Sequence, residues 1–166
     1  DLLSAVGAEL LSLGITSVTD ATPDLDTAAL EHLQSAAASG AIPQRLHLLG
    51  VPLGRNITEH RVTTGPYKIV VADSELPNLD DLTDRIRAAH NVGRAVAVHC
   101  VTREALILTL AALDDAGASG HDRIEHAAIV PPDLIDDLCR LRVTVVTQPG
   151  FLADRGAGTL SPAFDV

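Results

Sequence analysis

The sequence holds 166 residues, 46% of them hydrophobic, with 12 basic against 22 acidic side chains and a formal charge of −10. That length suits one ordinary domain with a real core, and a mean hydropathy of +0.23 excludes wholesale disorder. The acidic balance, with a pI near 4.9, has the wrong sign for a phosphate-backbone binder, and one Tyr, two Phe and no Trp leave little for bases to stack upon, so nucleic acid is not an expected partner.

Taken in chain order, Leu2 to Leu13 carries apolar residues at helical spacing and stops at Gly14, a C-terminal breaker. Ile15 to Val18 is a β-branched run ending in Thr19-Asp20 and predicts a short strand. Asp24 to Gly40 predicts a helix with an acidic first turn and a terminal glycine. A strand is expected over Arg45 to Val51, then a polar, irregular stretch from Arg55 to Thr64 where a helix is missing or very short. Tyr67 to Ala72 is the third expected strand, and Asp80 to His90 a helix with Leu82, Ile86 and Ala89 on one face.

The run Ala95-Val96-Ala97-Val98 is a strand that ends on His99-Cys100, and a helix follows from Thr102, an apt N-cap, to Ala116. Arg123 to His126 predicts a short strand. Pro131-Pro132-Asp133 opens a helix reaching about Leu141, and Val143 to Gln148 forms the last strand. The tail beyond it is Gly-rich and weakly patterned. Strand and helix alternate throughout, which argues for α/β architecture with a parallel sheet, either open and doubly wound or curled into a barrel.

No apolar run approaches the roughly 20 residues of a membrane-spanning helix, and no basic-then-apolar leader opens the chain. Asp1 in place of Met suggests a processed or partial chain. Cys100 and Cys139 lie in apolar settings without C-x-x-C spacing, so reduced thiols and a cytoplasmic location are expected.

In parallel α/β folds, ligands gather at the carboxyl ends of strands. Those ends here carry Asp20, His99, His126 and Gln148, with Lys68 inside the third strand. Alternation puts Ala95, Ala97 and His99 on one face and Val96, Val98 and Cys100 on the other, where helices pack. By the same rule His126 goes with Ile124, while Arg123 and Glu125 point away from the site. Each residue also has a plainer reading: a hydrogen-bonded structural histidine, a surface lysine, an aspartate in a turn, a buried thiol. No GxGxxG, P-loop or GxSxG is present, which removes the common dinucleotide, phosphate and serine-hydrolase readings. On residues alone, this is an α/β site with two histidines and its function open.

The segments LGITSVTDAT, KIVVAD, GRAVAVHCVTREA, DRIEHA and VTVVTQPGFLADRG, in that order, resemble the metal-dependent amidohydrolase superfamily and in particular its amidohydrolase-3, YtcJ-like branch. The resemblance implies a (β/α)8 barrel of the TIM type holding one or two divalent metals, usually Zn²⁺. It implies His99 and His126 as metal ligands closing the fifth and sixth family strands, and Lys68, carboxylated in many relatives, as a ligand from the fourth. It further implies hydrolysis of a C–N bond in a small amide or cyclic amide by water whose pKa the metal lowers toward about 7. Asp20 and Gln148 are then candidate substrate contacts.

The family's first-strand H-x-H has no counterpart here, and neither has its eighth-strand Asp; Asp165 follows no apolar strand and takes no such role. The chain therefore reads as one partial barrel domain over residues 1–166, about strands two to seven of a fold that needs about 250 residues. Weak or absent turnover is expected from these residues alone. The alternatives are a non-catalytic α/β domain that self-associates through exposed sheet edges and, third, an open flavodoxin-like binding domain with no role for Lys68.

Overall fold

The computed structural model describes residues 2–148. They belong to two compact units, the first running to Lys68 and the second beginning at Ile69. Both are built of strands alternating with helices, and every strand pair with a defined register is parallel. The α/β architecture expected from the alternation is what the chain adopts. No helix among the described residues is long and apolar enough to cross a membrane.

In the first unit, helix α1 (Leu2–Ser12) precedes β1 (Ser17–Asp20), α2 (Thr27–Ser39), β2 (Arg45–Leu48) and β3 (Val62–Thr64). The sheet order is β1-β2-β3, with Asp20 beside Leu48 and Leu46 beside Val62. Helix α2 starts where the Asp26 carboxylate accepts from the Ala29 amide at 2.8 Å, and it ends at Gly40, whose φ of 78° lies in the left-handed region. Leu30, Ala37, Leu46, Leu48, Val51 and Val62 pack as the core of this unit. Gln44 is fully buried, and its amide donates to the carbonyls of Gly7 at 3.0 Å and Ile15 at 3.1 Å, tying α1 to the approach of β1.

β3 is an element that the sequence pattern does not announce. The expected irregular stretch is helix-free, but its end, Val62-Thr63-Thr64, pairs with β2 because the β-branched run can bury Val62 against Leu46. Beyond it the end of β2 changes partners: the Gly65 amide bonds to the Leu48 carbonyl and the Lys68 amide to that of Leu49. Lys68 lies on β4 (Tyr67–Val70) and is 4% exposed, so it is not a snorkelling surface charge.

The second unit continues with α3 (Leu79–Asn91), β5 (Val96–Cys100), α4 (Arg103–Ala116), β6 (Arg123–His126), a 3-10 turn (Pro132–Leu134), α5 (Ile135–Leu141) and β7 (Thr144–Val146). Its sheet order is β4-β5-β6-β7. Asn78 caps α3, and Thr102 caps α4 by accepting from the Ala105 amide at 3.3 Å. The helix expected from Pro132 begins as a 3-10 turn and becomes α-helical at Ile135. Leu82, Ile86, Leu106 and Leu113 from the helices and Val96, Val98 and Ile124 from the strands are completely buried.

Asp122 fixes how β5 and β6 begin. Its carboxylate is fully buried and accepts from the Val96 amide at 2.9 Å, the Ser119 amide at 2.6 Å and His90 Nε2 at 3.0 Å. With these strand starts tied together, Ala97 stands beside Arg123, His99 beside Glu125 and Cys100 beside His126. On α5, Arg140 grips Asp114 of α4 through two bonds of 2.7 and 3.1 Å and also reaches Asp137 at 3.0 Å.

Candidate functional site

His99 is the fourth residue of β5 and His126 the last of β6, so both stand at the carboxyl ends of adjacent parallel strands. Their rings meet edge to face, with centroids 4.6 Å apart and planes at 72°. Both are partly exposed, whereas Ala97, two residues before His99 on the same side of β5, is fully buried.

The way His126 reaches His99 differs from the alternation rule. Residues in register on parallel strands share a face. Glu125 is therefore on the His99 side, together with Arg123 and Ala97, while Ile124 joins Val98 and Cys100 beneath the helices. This corrects the expectation that Arg123 and Glu125 point away and that Ile124 goes with His126.

Alternation would carry His126 to the helix side as well, but its backbone leaves the extended region with φ at 73°, followed by Ala127 at 42°. The Ala127 amide bonds to the Glu125 carbonyl at 3.1 Å, closing a γ-turn of the rare positive-φ kind, and to the Cys100 carbonyl at 3.0 Å. Two consecutive non-glycine residues in this region store of order 1–3 kcal/mol each. The turn brings the His126 ring to His99 instead of leaving it beneath α4.

His126 is also held from the far side. Its Nδ1 lies 2.8 Å from Gln148 Oε1, where Gln148 stands two residues beyond β7 rather than ending that strand. Beside His99 on the neighbouring strand, Glu125 is 8% exposed and its carboxylate accepts from Arg123 Nε at 2.6 Å, so an ion pair lies on the His99 side. Cys100 turns away, as its parity predicts: its thiol is 3.0 Å from Thr109 Oγ1 and 3.8 Å from the Ala105 carbonyl of α4.

Asp20 closes β1 in the first unit. Its carboxylate accepts from the Thr22 amide at 3.0 Å and the Thr22 hydroxyl at 3.3 Å, a local turn of its own making. Asp165 lies outside the described residues. Among the described residues, no group of three or more His, Cys, Asp or Glu is gathered for a metal ion.

Two neutral imidazoles are nonetheless suitable donors for zinc-like ions. At Zn–N distances of about 2.0–2.1 Å, two nitrogens sharing a tetrahedral ion lie roughly 3.3 Å apart. The two rings are neighbours, with centroids 4.6 Å apart. The donor set therefore fits part of a metal site, with the remaining positions left to other groups.

The model of the amidohydrolase family matches residues 1–163. Among solved structures, an uncharacterized metal-dependent hydrolase from Pyrococcus furiosus superposes with a TM-score of 0.75 at 24% identity, covering 90% of this chain and 38% of that one. Its counterpart from Pyrococcus horikoshii OT3 gives 0.74 at 22% identity, covering 90% and 36%. A Xaa-Pro dipeptidase with bound methionine in its active site gives 0.62 at 17%, covering 93% and 47%. This chain thus spans less than half the length of each of these three structures. Among curated proteins, none matches. The fold is shared with these hydrolases, as expected for part of a TIM-type barrel. With the family model matching nearly every residue, the chain belongs to the amidohydrolase family.

Proposed function

We propose that these residues form part of a metal-dependent hydrolase that cleaves a C–N bond in a small amide or cyclic amide. The observation that carries the reading is the meeting of His99 and His126 at the ends of neighbouring parallel strands, with the left-handed backbone at His126 spent on bringing the rings together. When bound, a divalent metal, Zn²⁺ by the chemistry of the donors, supplies Lewis acidity toward the scissile carbonyl and lowers the pKa of water. His99 and His126 hold the ion as neutral ligands. Lys68, buried on β4, is a third ligand in this reading, carboxylated where two ions bind.

The Arg123–Glu125 pair lies on the His99 side of the sheet, where the guanidinium would compensate the carboxylate beside a bound ion's ligand. Gln148 steadies His126. Asp20, occupied by its own turn, is the weaker candidate for a substrate contact. The whole of residues 1–166 counts as one partial barrel domain in this reading, in a cytoplasmic protein with reduced thiols.

The test is zinc content after equilibrium dialysis for the 166-residue chain, for His99→Asn and for His126→Asn, with circular dichroism as the folding control. Each substitution should lower zinc affinity at least tenfold while the far-ultraviolet spectrum is kept. Unchanged zinc content in both variants would sink the ligand assignment.

A second reading, association without catalysis, is favoured by one observation. Among the described residues β7 is the outer strand of its sheet, and Val145 and Val146 are 39% and 37% exposed. Light scattering separates the two: a concentration-dependent dimer without zinc supports association, and a zinc-binding monomer supports the hydrolase.

A further inference from the structure

We infer that Gln148 is a positioning residue that fixes the tautomer of His126 and thereby makes Nε2 the metal-binding atom. The inference rests on the metal-site reading above and deepens it. A neutral imidazole has one N–H and one nitrogen lone pair, and which nitrogen carries the proton is set by the partner of the other. His126 Nδ1 is 2.8 Å from Gln148 Oε1, and an amide oxygen accepts but cannot donate. The proton therefore sits on Nδ1, and the lone pair that remains for a cation is on Nε2.

The backbone arranges this meeting. The register of β6 with β7 places Glu125 beside Val146, so Gln148, two residues on, is level with the turn that follows Glu125. The γ-turn at His126 directs the ring across the strand ends toward His99, and Gln148 engages its Nδ1 from the neighbouring chain segment. A neutral amide suits the purpose differently from a carboxylate. It orients the ring without adding negative charge, so the imidazole stays a less basic ligand than one paired with Asp or Glu. The free imidazole of a histidine side chain prefers its proton on Nε2, so the Nδ1–H form has to be imposed.

The experiment is nitrogen–proton correlation spectroscopy of the metal-free chain labelled with ¹⁵N-histidine, at about pH 8 where imidazoles are neutral. The His126 signals are assigned by their loss in His126→Asn. The wild-type chain should show His126 protonated on Nδ1. Gln148→Ala should shift it toward the Nε2–H form and weaken zinc binding by about tenfold. Gln148→Glu should restore the Nδ1–H form and bind zinc at least as tightly as wild type.

An Nε2–H signature in the wild type, or a tautomer unmoved by Gln148→Ala, overturns the inference. A correct tautomer in a chain that binds no zinc leaves the Gln148 assignment standing and rejects the metal-site reading, so the two failures are distinguishable. Gln148 is exposed, and a loss of folding in Gln148→Ala would itself contradict a role confined to His126.

Discussion

Removing the Asp122 carboxylate should destabilise the second unit by about 3 kcal/mol, far more than its place outside the candidate site suggests. Its oxygens accept from the Val96 amide, the Ser119 amide and His90 Nε2, and the residue is fully buried. In Asp122→Ala the Val96 N–H is left without an acceptor in a position with no exposure, at about 1–3 kcal/mol. The Ser119 N–H, partly exposed, loses a charge-assisted bond worth about 1.5–3 kcal/mol before water replaces part of it. The His90 side chain, 16% exposed, can turn toward solvent and adds little.

Relief from desolvating a buried charge offsets some of this, which leaves about 3 kcal/mol. With an m-value of about 2 kcal/mol/M, the urea midpoint followed by circular dichroism should fall by about 1.5 M. Asp122→Asn keeps an oxygen for Val96 and His90 but sets an amide nitrogen against the Ser119 N–H, so about half the loss is expected. A midpoint within about 0.5 M of wild type for Asp122→Ala, worth about 1 kcal/mol, would refute the claim that this carboxylate ties the two strand starts.

Ala127→Gly should be nearly neutral, within about 0.5 kcal/mol, because relief of its positive φ is cancelled by the entropy of glycine and a lost buried methyl. Ala127→Val should cost about 2 kcal/mol or more, and equal urea midpoints for the two variants would contradict a strained turn. A thiol reagent should label the exposed Cys139 in the folded chain and the buried Cys100 only on unfolding; two thiols reacting at the same native rate would be the contrary result.

The hydrogen bond from the Arg140 guanidinium holds the Asp114 carboxyl below its ordinary value of 3.8. Because the folded value is the lower one, the contribution of this pair is complete above the ordinary value and is lost as pH falls through the lowered one. Both groups are open to solvent, so Arg140→Ala should shift the midpoint slightly at low salt and not at all in about 0.5 M salt. A shift that persists in salt would point to packing instead of charge.

Much of the secondary structure was legible because it rests on local physics. The spacing of Leu82, Ile86 and Ala89 marks the buried stripe of α3, and Thr102 and Gly40 end helices by bonds and backbone angles that need no distant partner. The oily run into His99 marks β5, with Cys100 turned to the helix layer. β3 was not legible: three residues have too little pattern, and Val62 becomes a strand residue only because Leu46 lies beside it.

In the candidate site, residue types and their order determined that two histidines close successive strands and that a lysine lies inside an earlier one. Tertiary structure decided where the His126 ring goes, that Glu125 shares the His99 side, and that Gln148 is the partner of Nδ1. The reason is that alternation along a strand presumes an extended backbone. The φ of His126 is set by a γ-turn locked to the Cys100 carbonyl of the neighbouring strand, a long-range bond that no local pattern encodes.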